Sequence, residues 1–334
     1  MIRSLLLFFL LLSACSKQPS PAQKSWQAFK QEFISIEGRV IDNGNKGISH
    51  SEGQGYGLLF AVYFNDQKTF ATLWDWSVTH LQTRNDYLFS WQYTPNQGVT
   101  DVNNASDGDI LIAWALLQAA QRWHNSSYQQ AANNILRDIR NKLIKNWQGH
   151  KIIMPAEQGF ITQPGKLTIN LSYWVFPALQ EFARVDKSPL WQKLINSGLY
   201  LFNTAEFGQW QLPADWLQLD DKITLSSERP PVFGYEAIRI PLYLSWANLL
   251  PSEKRKQFLA YAQASQNQLG YLSPKANLLN NSFAEYPANA GFISTYQLIA
   301  QKPIGLANIS QNKDYYSHSL ELLAFIAQQQ SIAQ

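Results

Sequence analysis

The acids of this 334-residue chain that could do chemistry stand where helices begin. Glu52 lies in "HSEGQGYGLLF", among Gly53, Gly55 and Gly57, and Ser51 with Gln54 reads as a capping box. Asp107 and Asp109 lie in "ASDGDILIAW", where Ser106 and Asp109 read as a second capping pair. Glu236 lies in "FGYEAIRIPLY", just upstream of a third helix, because Pro241 is tolerated only in a first turn. Capping and the helix macrodipole account for acids at such positions, but not for the glycines and aromatics around them. Glycine weakens a helix start, so here it reads as room for a bulky ligand against the backbone. Two carboxyls facing each other between aromatic walls suit general acid–base displacement at a glycosidic bond. One protonates the leaving oxygen; the other activates water or attacks carbon. A helix N-terminus lowers a carboxyl pKa, so a general acid at Glu52 needs burial, or a like charge such as Asp107, to keep its proton.

The elements that must position these acids are helical nearly throughout. Apolar periodicity predicts helices over 24–34, 54–65, 67–82, 107–123, 128–147, 172–185, 189–204, 239–249, 252–266, 287–300 and 314–329. In 107–123, Ile110, Ala113, Leu117 and Ala120 form one buried stripe. Long polar or aromatic loops, 84–104 and 205–234, separate some of them, and loops of that length carry function. Eleven or twelve helices in hairpin succession suit an all-α toroid of paired helices.

The remaining composition narrows the chemistry. Aromatic residues reach 13% with 12 Trp, which serves either sugar stacking or packing of a large helical domain. The five His (50, 80, 124, 150 and 318) lack metal-ligand spacing, and no nucleotide-type glycine loop occurs. A net charge of +3 without a basic run gives no nucleic-acid signal. Arg3, the apolar run 5–12 and "LLSAC" describe a secretory leader too short to span a membrane. "LSAC" resembles the bacterial lipobox, and Cys15 is the only cysteine, so it fits a lipid anchor better than a disulfide. The expected organisation is a leader with lipobox at 1–15, a flexible polar tether at 16–25 and one domain over 26–334. Ser16 after the Cys points to the outer membrane, which makes the protein periplasmic, with no membrane contact beyond the lipid.

Two stretches carry a family resemblance. "SEGQGYGLLFAVYFNDQKTFATLWDWSVTHL" and "ASDGDILIAWALLQAAQRW" resemble the signature regions of glycoside hydrolase family 8. "WQAFKQEFISIEGRVID" is similar to the start of that family's periplasmic cellulases made alongside bacterial cellulose synthase. "NLSYWVFPALQEFA" and "FGYEAIRIPLYLSWANL" extend the similarity, and "NAGFISTYQL" closes it near residue 300. The resemblance implies an (α/α) toroid of six hairpins with a substrate groove at one end. It also implies inverting endo-attack on β-1,4-linked glucan by a monomer that needs no cofactor or metal, with a cellulose synthase complex as a further partner.

Carried over by motif, Glu52 matches the general acid, Asp107 the acid that holds the distorted sugar, and Asp109 a support for that helix entrance. Tyr173 falls where the family places a groove aromatic. Trp74, Trp76, Trp91, Trp114, Trp174 and Trp216 are stacking candidates, about half of them expected in the core instead. Arg239 is expected to pair with an acid of the site. The family's base is the Asp of Tyr-Asp-Ala-x-Arg, and here that position is Glu236. One extra methylene moves a carboxylate by about 1.5 Å, and a misplacement of that order costs roughly a hundredfold in rate. The alternative expectation is therefore a glucan-binding protein on the same fold with weakened hydrolysis. Asp215, in "LPADW", is a lesser candidate for the base, and chitosan, xylan or mixed-linkage glucan are lesser candidates for the polymer.

Overall fold

Burial divides the helices of the computed structural model, which describes residues 18–163, 165–306 and 314–332, into two classes. In chain order the helices among the described residues are α1 (Pro21–Phe33), α2 (Ser51–Tyr63), α3 (Gln67–His80), α4 (Ser106–Trp123), α5 (Ser126–Asp138), α6 (Phe176–Val185), α7 (Leu190–Thr204), α8 (Arg239–Trp246), α9 (Ser252–Leu269), α10 (Ala290–Ile299) and α11 (Tyr315–Ile332). Some are buried all round: 11 of 13 residues in α2, 14 of 18 in α4 and all eight of α8. Others bury a single stripe, four of 14 residues in α3 and four of 18 in α9. A helix buried on every side belongs inside, and a striped one outside. Accordingly α2, α4, α6, α8, α10 and α11 pack in succession and α11 returns to α2, closing an inner ring. Outside it, α3 packs on α2, α5 on α4, α7 on α6, α9 on α10 and α1 on α11.

The inner helices run parallel. Gly108, at the start of α4, meets Ser51 at the start of α2. Gly291 N, at the start of α10, donates to Ser317 Oγ at the start of α11 (3.0 Å). The N-terminal ends, and with them Glu52, Asp107 and Glu236, therefore share one end of the ring. The glycines beside Glu52 serve this packing. A Cβ added to Gly55 would lie 2.5 Å from Leu111 Cβ on α4, and one on Gly57 would lie 3.0 Å from Val40 Cγ2. One on Gly53 would lie 2.8 Å from the Tyr315 hydroxyl. All three face protein, which corrects the expectation that they leave room for a ligand.

Ten short strands are described besides the helices: β1 (Ser49–His50), β2 (Gln92–Tyr93), β3 (Ile144–Trp147), β4 (His150–Ile153), β5 (Ile161–Gln163), β6 (Lys166–Ile169), β7 (Leu217–Leu219), β8 (Ile223–Leu225), β9 (Val232–Phe233) and β10 (Ala276–Asn277). The β1–β2 pair ties the 84–104 loop to the start of α2, and Ser51 N donates to Trp91 O (3.0 Å). An antiparallel sheet β5-β6-β7-β8 joins the stretch before α6, which supplies β5 and β6, to the second long loop, which supplies β7 and β8. The helix predicted over 128–147 runs on from α5 as a π-helical turn, Ile139–Leu143, and then gives way to β3, which pairs with β4 around Gln148 and Gly149. Both turn residues are left-handed, with φ 47° and 84°. Such a turn is usually signalled by Asn-Gly, and Gln in the first position hid it.

The tether expectation also changes. α1 begins at Pro21, with Ser20 and Gln23 forming a capping box, and Ser25 is buried with its Oγ 3.1 Å from His318 Nε2. The leader and Cys15 lie outside the described residues. No helix among the described residues is long and apolar enough to cross a membrane.

Candidate active site

Glu52 occupies the first turn of α2, and its side chain is 16% exposed. The cap is His50, not Ser51: His50 Nδ1 accepts from Gly53 N (3.0 Å), while Ser51 Oγ is buried without a partner. His50 Nε2 then faces Asp42 Oδ2 at 3.4 Å. Gln54, read as the second half of a capping box, instead points inward. It accepts from Val40 N (2.6 Å) and donates to Gly38 O (3.1 Å) and Ser77 Oγ (2.9 Å). Tyr56, one turn along, donates its hydroxyl to Glu52 Oε1 (3.0 Å), and Arg239 Nη1 lies on the same oxygen. Glu52 Oε2 stands 3.9 Å from His50 Nδ1.

Asp107 and Asp109 sit at the start of α4, 3% and 0% exposed. α4 has no side-chain cap; Ala105 takes that place, so the expected Ser106–Asp109 pair does not form. Asp109 turns sideways and accepts from Phe89 N (2.8 Å) and Asn104 Nδ2 (2.7 Å), pinning the 84–104 loop to the helix start. Burial, opposed by those bonds, pushes its pKa up to about 7. Asp107 accepts from Gly108 N (2.8 Å) and stands 3.4 Å from Arg239 Nη1. Burial pushes its pKa up to about 6.

Glu236 lies just before α8, whose Pro241 falls among the first residues, where a missing N–H costs no helix bond. Glu236 Oε2 accepts from Asn170 Nδ2 (3.0 Å) and contacts Arg239 Nη2. Arg239, 3% exposed, thus serves three carboxyls at once: Glu52, Asp107 and Glu236. One buried cation among so many acids leaves an excess of negative charge, which favours protons on the group. Glu236 shows it, its pKa pushed up to about 8 by burial and by the Asp215 and Asp107 charges. Its side chain is 33% exposed, so the neighbouring charges matter alongside burial. Asp215, the lesser candidate for the base, is 7% exposed, and its Oδ1 accepts from Gly234 N (2.7 Å) and Ala237 N (2.9 Å). It holds the turn rather than presenting a carboxyl.

The aromatics sort by ring. Trp114 is 3% exposed and packs on Trp246 (centroids 5.1 Å), and Trp174 is fully buried with Nε1 donating to Leu194 O (3.0 Å). Both are core, which corrects their assignment to the substrate. Trp74 lies on the outer helix α3, packed edge-on against Phe89 (6.0 Å). Trp76 is buried, stacked on His80 (4.7 Å). Trp91 is half-buried, its Nε1 on Asp101 Oδ2 (2.9 Å). Tyr173 does join the acids: Arg239 lies over its ring (6.0 Å), and Trp216 meets it edge-on (6.2 Å). Trp216 in turn stacks with Phe160 (5.7 Å) and lies under Arg229 (5.0 Å).

Sequence reasoning missed Tyr56, His50, Asn170 and Tyr316. Only Tyr56 carried a signal, its spacing of four from Glu52. Asn170 and Tyr316, whose hydroxyl donates to Tyr235 O, reach the site from distant segments.

Comparison with known proteins agrees with this geometry. Residues 2–330 match the glycosyl hydrolases family 8. Over 317 residues the chain is 36% identical to a probable endoglucanase of Novacetimonas hansenii, covering 92% of this chain and 91% of that protein. The solved endo-β-1,4-glucanase CMCax of Acetobacter xylinum aligns with a TM-score of 0.87 at 34% identity, over 94% of this chain and all of that one (100%). A solved endoglucanase of Komagataeibacter sucrofermentans gives 0.87 at 36% identity, over 93% and 98%. With the match spanning the ring and all three helix-start acids, the chain belongs to glycosyl hydrolase family 8.

Proposed function

We propose that the protein is an inverting endo-β-1,4-glucanase with Glu52 as general acid and Glu236 as general base. The observation that carries this is the convergence of Glu52, Asp107 and Glu236 on the single guanidinium of Arg239, beside Tyr173. Glu52 Oε1 is engaged by Tyr56 and Arg239, which leaves Oε2 to carry the proton for the leaving oxygen. Glu236, with Asn170 fixing one oxygen, takes the proton of the attacking water from the opposite side of the sugar. Asp107 accepts hydroxyls of the distorted ring. The endoglucanase names of its relatives support the β-1,4-glucan as substrate.

The purified protein should release reducing ends from soluble β-1,4-glucan. No release over background, with the protein folded and binding the polymer, would leave the glucan-binding alternative. A gain of orders of magnitude in Glu236→Asp would likewise favour that alternative.

The same reading makes the protein a periplasmic lipoprotein, anchored at the outer membrane through Cys15, that trims cellulose as it is made. Fatty-acid labelling lost in Cys15→Ala supports the anchor; labelling of neither form rejects it.

A further inference from the structure

We infer that Asp215 is a positioning residue for Glu236: its buried carboxylate fixes the turn that carries the base and places a negative charge beside it. The inference rests on Glu236 being the base.

α8 begins without a side-chain cap from its own flank; Ile238 takes the cap place. The N–H groups ahead of it need an acceptor, because a buried donor left unpaired costs about 1–3 kcal/mol. Asp215 Oδ1, from a segment 19 to 22 residues upstream, accepts from both Gly234 N and Ala237 N. Burial pushes the Asp215 pKa up to about 6 against the N–H groups of Ala237, Gly234 and Glu236, which favour the charged form, so Asp215 is ionised where Glu236, near 8, exchanges its proton. Asp215 is itself fixed by its own N–H, which donates to Val232 O in β9 (2.8 Å). A Cβ on Gly234 would stand 3.1 Å from Asp215 Oδ2, so glycine lets the carboxylate close on the turn. On the other side, the Tyr316 hydroxyl donates to Tyr235 O. The peptide that bears Glu236 is thus held from two directions. That is the control a longer side chain at the base position requires.

The second half of the inference concerns charge. The carboxyls facing Glu236 are Asp215, Asp107 and, across Arg239, Glu52; the cations are Arg239 and Arg229, with Lys275 beside Asp215. Tyr173, Tyr243 and Tyr316 also face it, and burial raises the pKa of each, so they stay neutral. Removing Asp215's charge therefore deletes one of the carboxylates that hold the proton on Glu236. The base then ionises at lower pH.

The test compares Asp215→Leu, Asp215→Asn and Glu236→Gln in the purified protein, with kcat, KM and a pH profile on a cello-oligosaccharide. Asp215→Leu should lose about a hundredfold in kcat with KM within about twofold. Asp215→Asn keeps the oxygen that accepts both N–H groups. It should hold kcat within about tenfold and move the acidic limb of kcat/KM down by about 0.5–1 pH unit. An unmoved limb in Asp215→Asn overturns the inference, as does a kcat within threefold of native in Asp215→Leu. If Asp215→Leu does not fold, the limb of Asp215→Asn decides alone. Activity retained in Glu236→Gln removes the base assignment itself, a failure distinct from the other two.

Discussion

Glu52 and Glu236 meet at one guanidinium, yet the two entrances that deliver them are built differently. Glu52 rides on a helix buried nearly all round, placed by backbone approach at Gly55 and Gly108 and capped from the adjoining strand β1 by His50. Glu236 sits on a turn ahead of a short helix, and its position comes from Asp215 and Tyr316, both distant in sequence. Packing of two helices leaves little freedom for an altered side chain. A turn held by hydrogen bonds can be reset by moving its acceptor. On the proposed assignment, the difference gives the longer Glu236 side chain a turn that can be reset, while Glu52 is fixed by helix packing.

The largest effects should come from breaking either arm in chemistry but not in binding. Glu52→Gln and Glu236→Gln should each lower kcat/KM by about 10³-fold, with cello-oligosaccharide affinity retained by calorimetry. A core tryptophan should separate stability from catalysis. Trp174→Ala should cost about 3–5 kcal/mol in urea unfolding, whereas Trp216→Ala should leave stability nearly intact and raise KM about fivefold through lost stacking.

On the Glu52 side, Gly55→Ala drives a methyl against Leu111 and should cost about 1–3 kcal/mol, with kcat falling because α2 shifts on α4. The equivalent damage on the Glu236 side should need a change at the acceptor rather than at a glycine in a helix.

The pH dependence sharpens the contrast further. A base works only when ionised, and Glu236 is pushed up to about 8. While Glu52 keeps its proton, kcat/KM should therefore climb as pH rises toward 8, by about tenfold per unit below it. A flat profile between pH 5 and 8 would remove the role of neighbouring charge. Asp109 acts on stability instead. Its folded pKa near 7 lies above the unfolded value of 3.8, so its contribution is greatest below 3.8 and is lost as pH rises through 7. Urea midpoints measured from pH 4 to 8 should fall across that window.

Much of this was legible where it depended on local pattern. The apolar runs after residues 51 and 106 defined α2 and α4, and acids at their starts drew attention to the site. Pro241 fixed the start of α8. The caps were illegible because His50 and Ala105 hold those places through backbone ties to the 84–104 loop and to Pro155 O. The glycines were misread since their partners, Leu111, Val40 and Tyr315, lie on other segments. The tryptophans could not be sorted either, because a Trp on an inner helix and one on a loop look alike until the ring closes. Asp215 stood out as an acid, but its service to Gly234 and Ala237 is a tertiary fact.

The central claim, that Glu236 activates water opposite Glu52, is tested most directly by the anomeric course of cellopentaose hydrolysis, followed by proton NMR in the first minutes. Glu236→Ala is run beside the native protein, with and without azide as a nucleophile that needs no base. The native protein should release new reducing ends in the α configuration. Glu236→Ala should lose about 10³-fold and recover with azide as an α-glycosyl azide. A β-configured product, or a Glu236→Ala rate within tenfold of native, would contradict it.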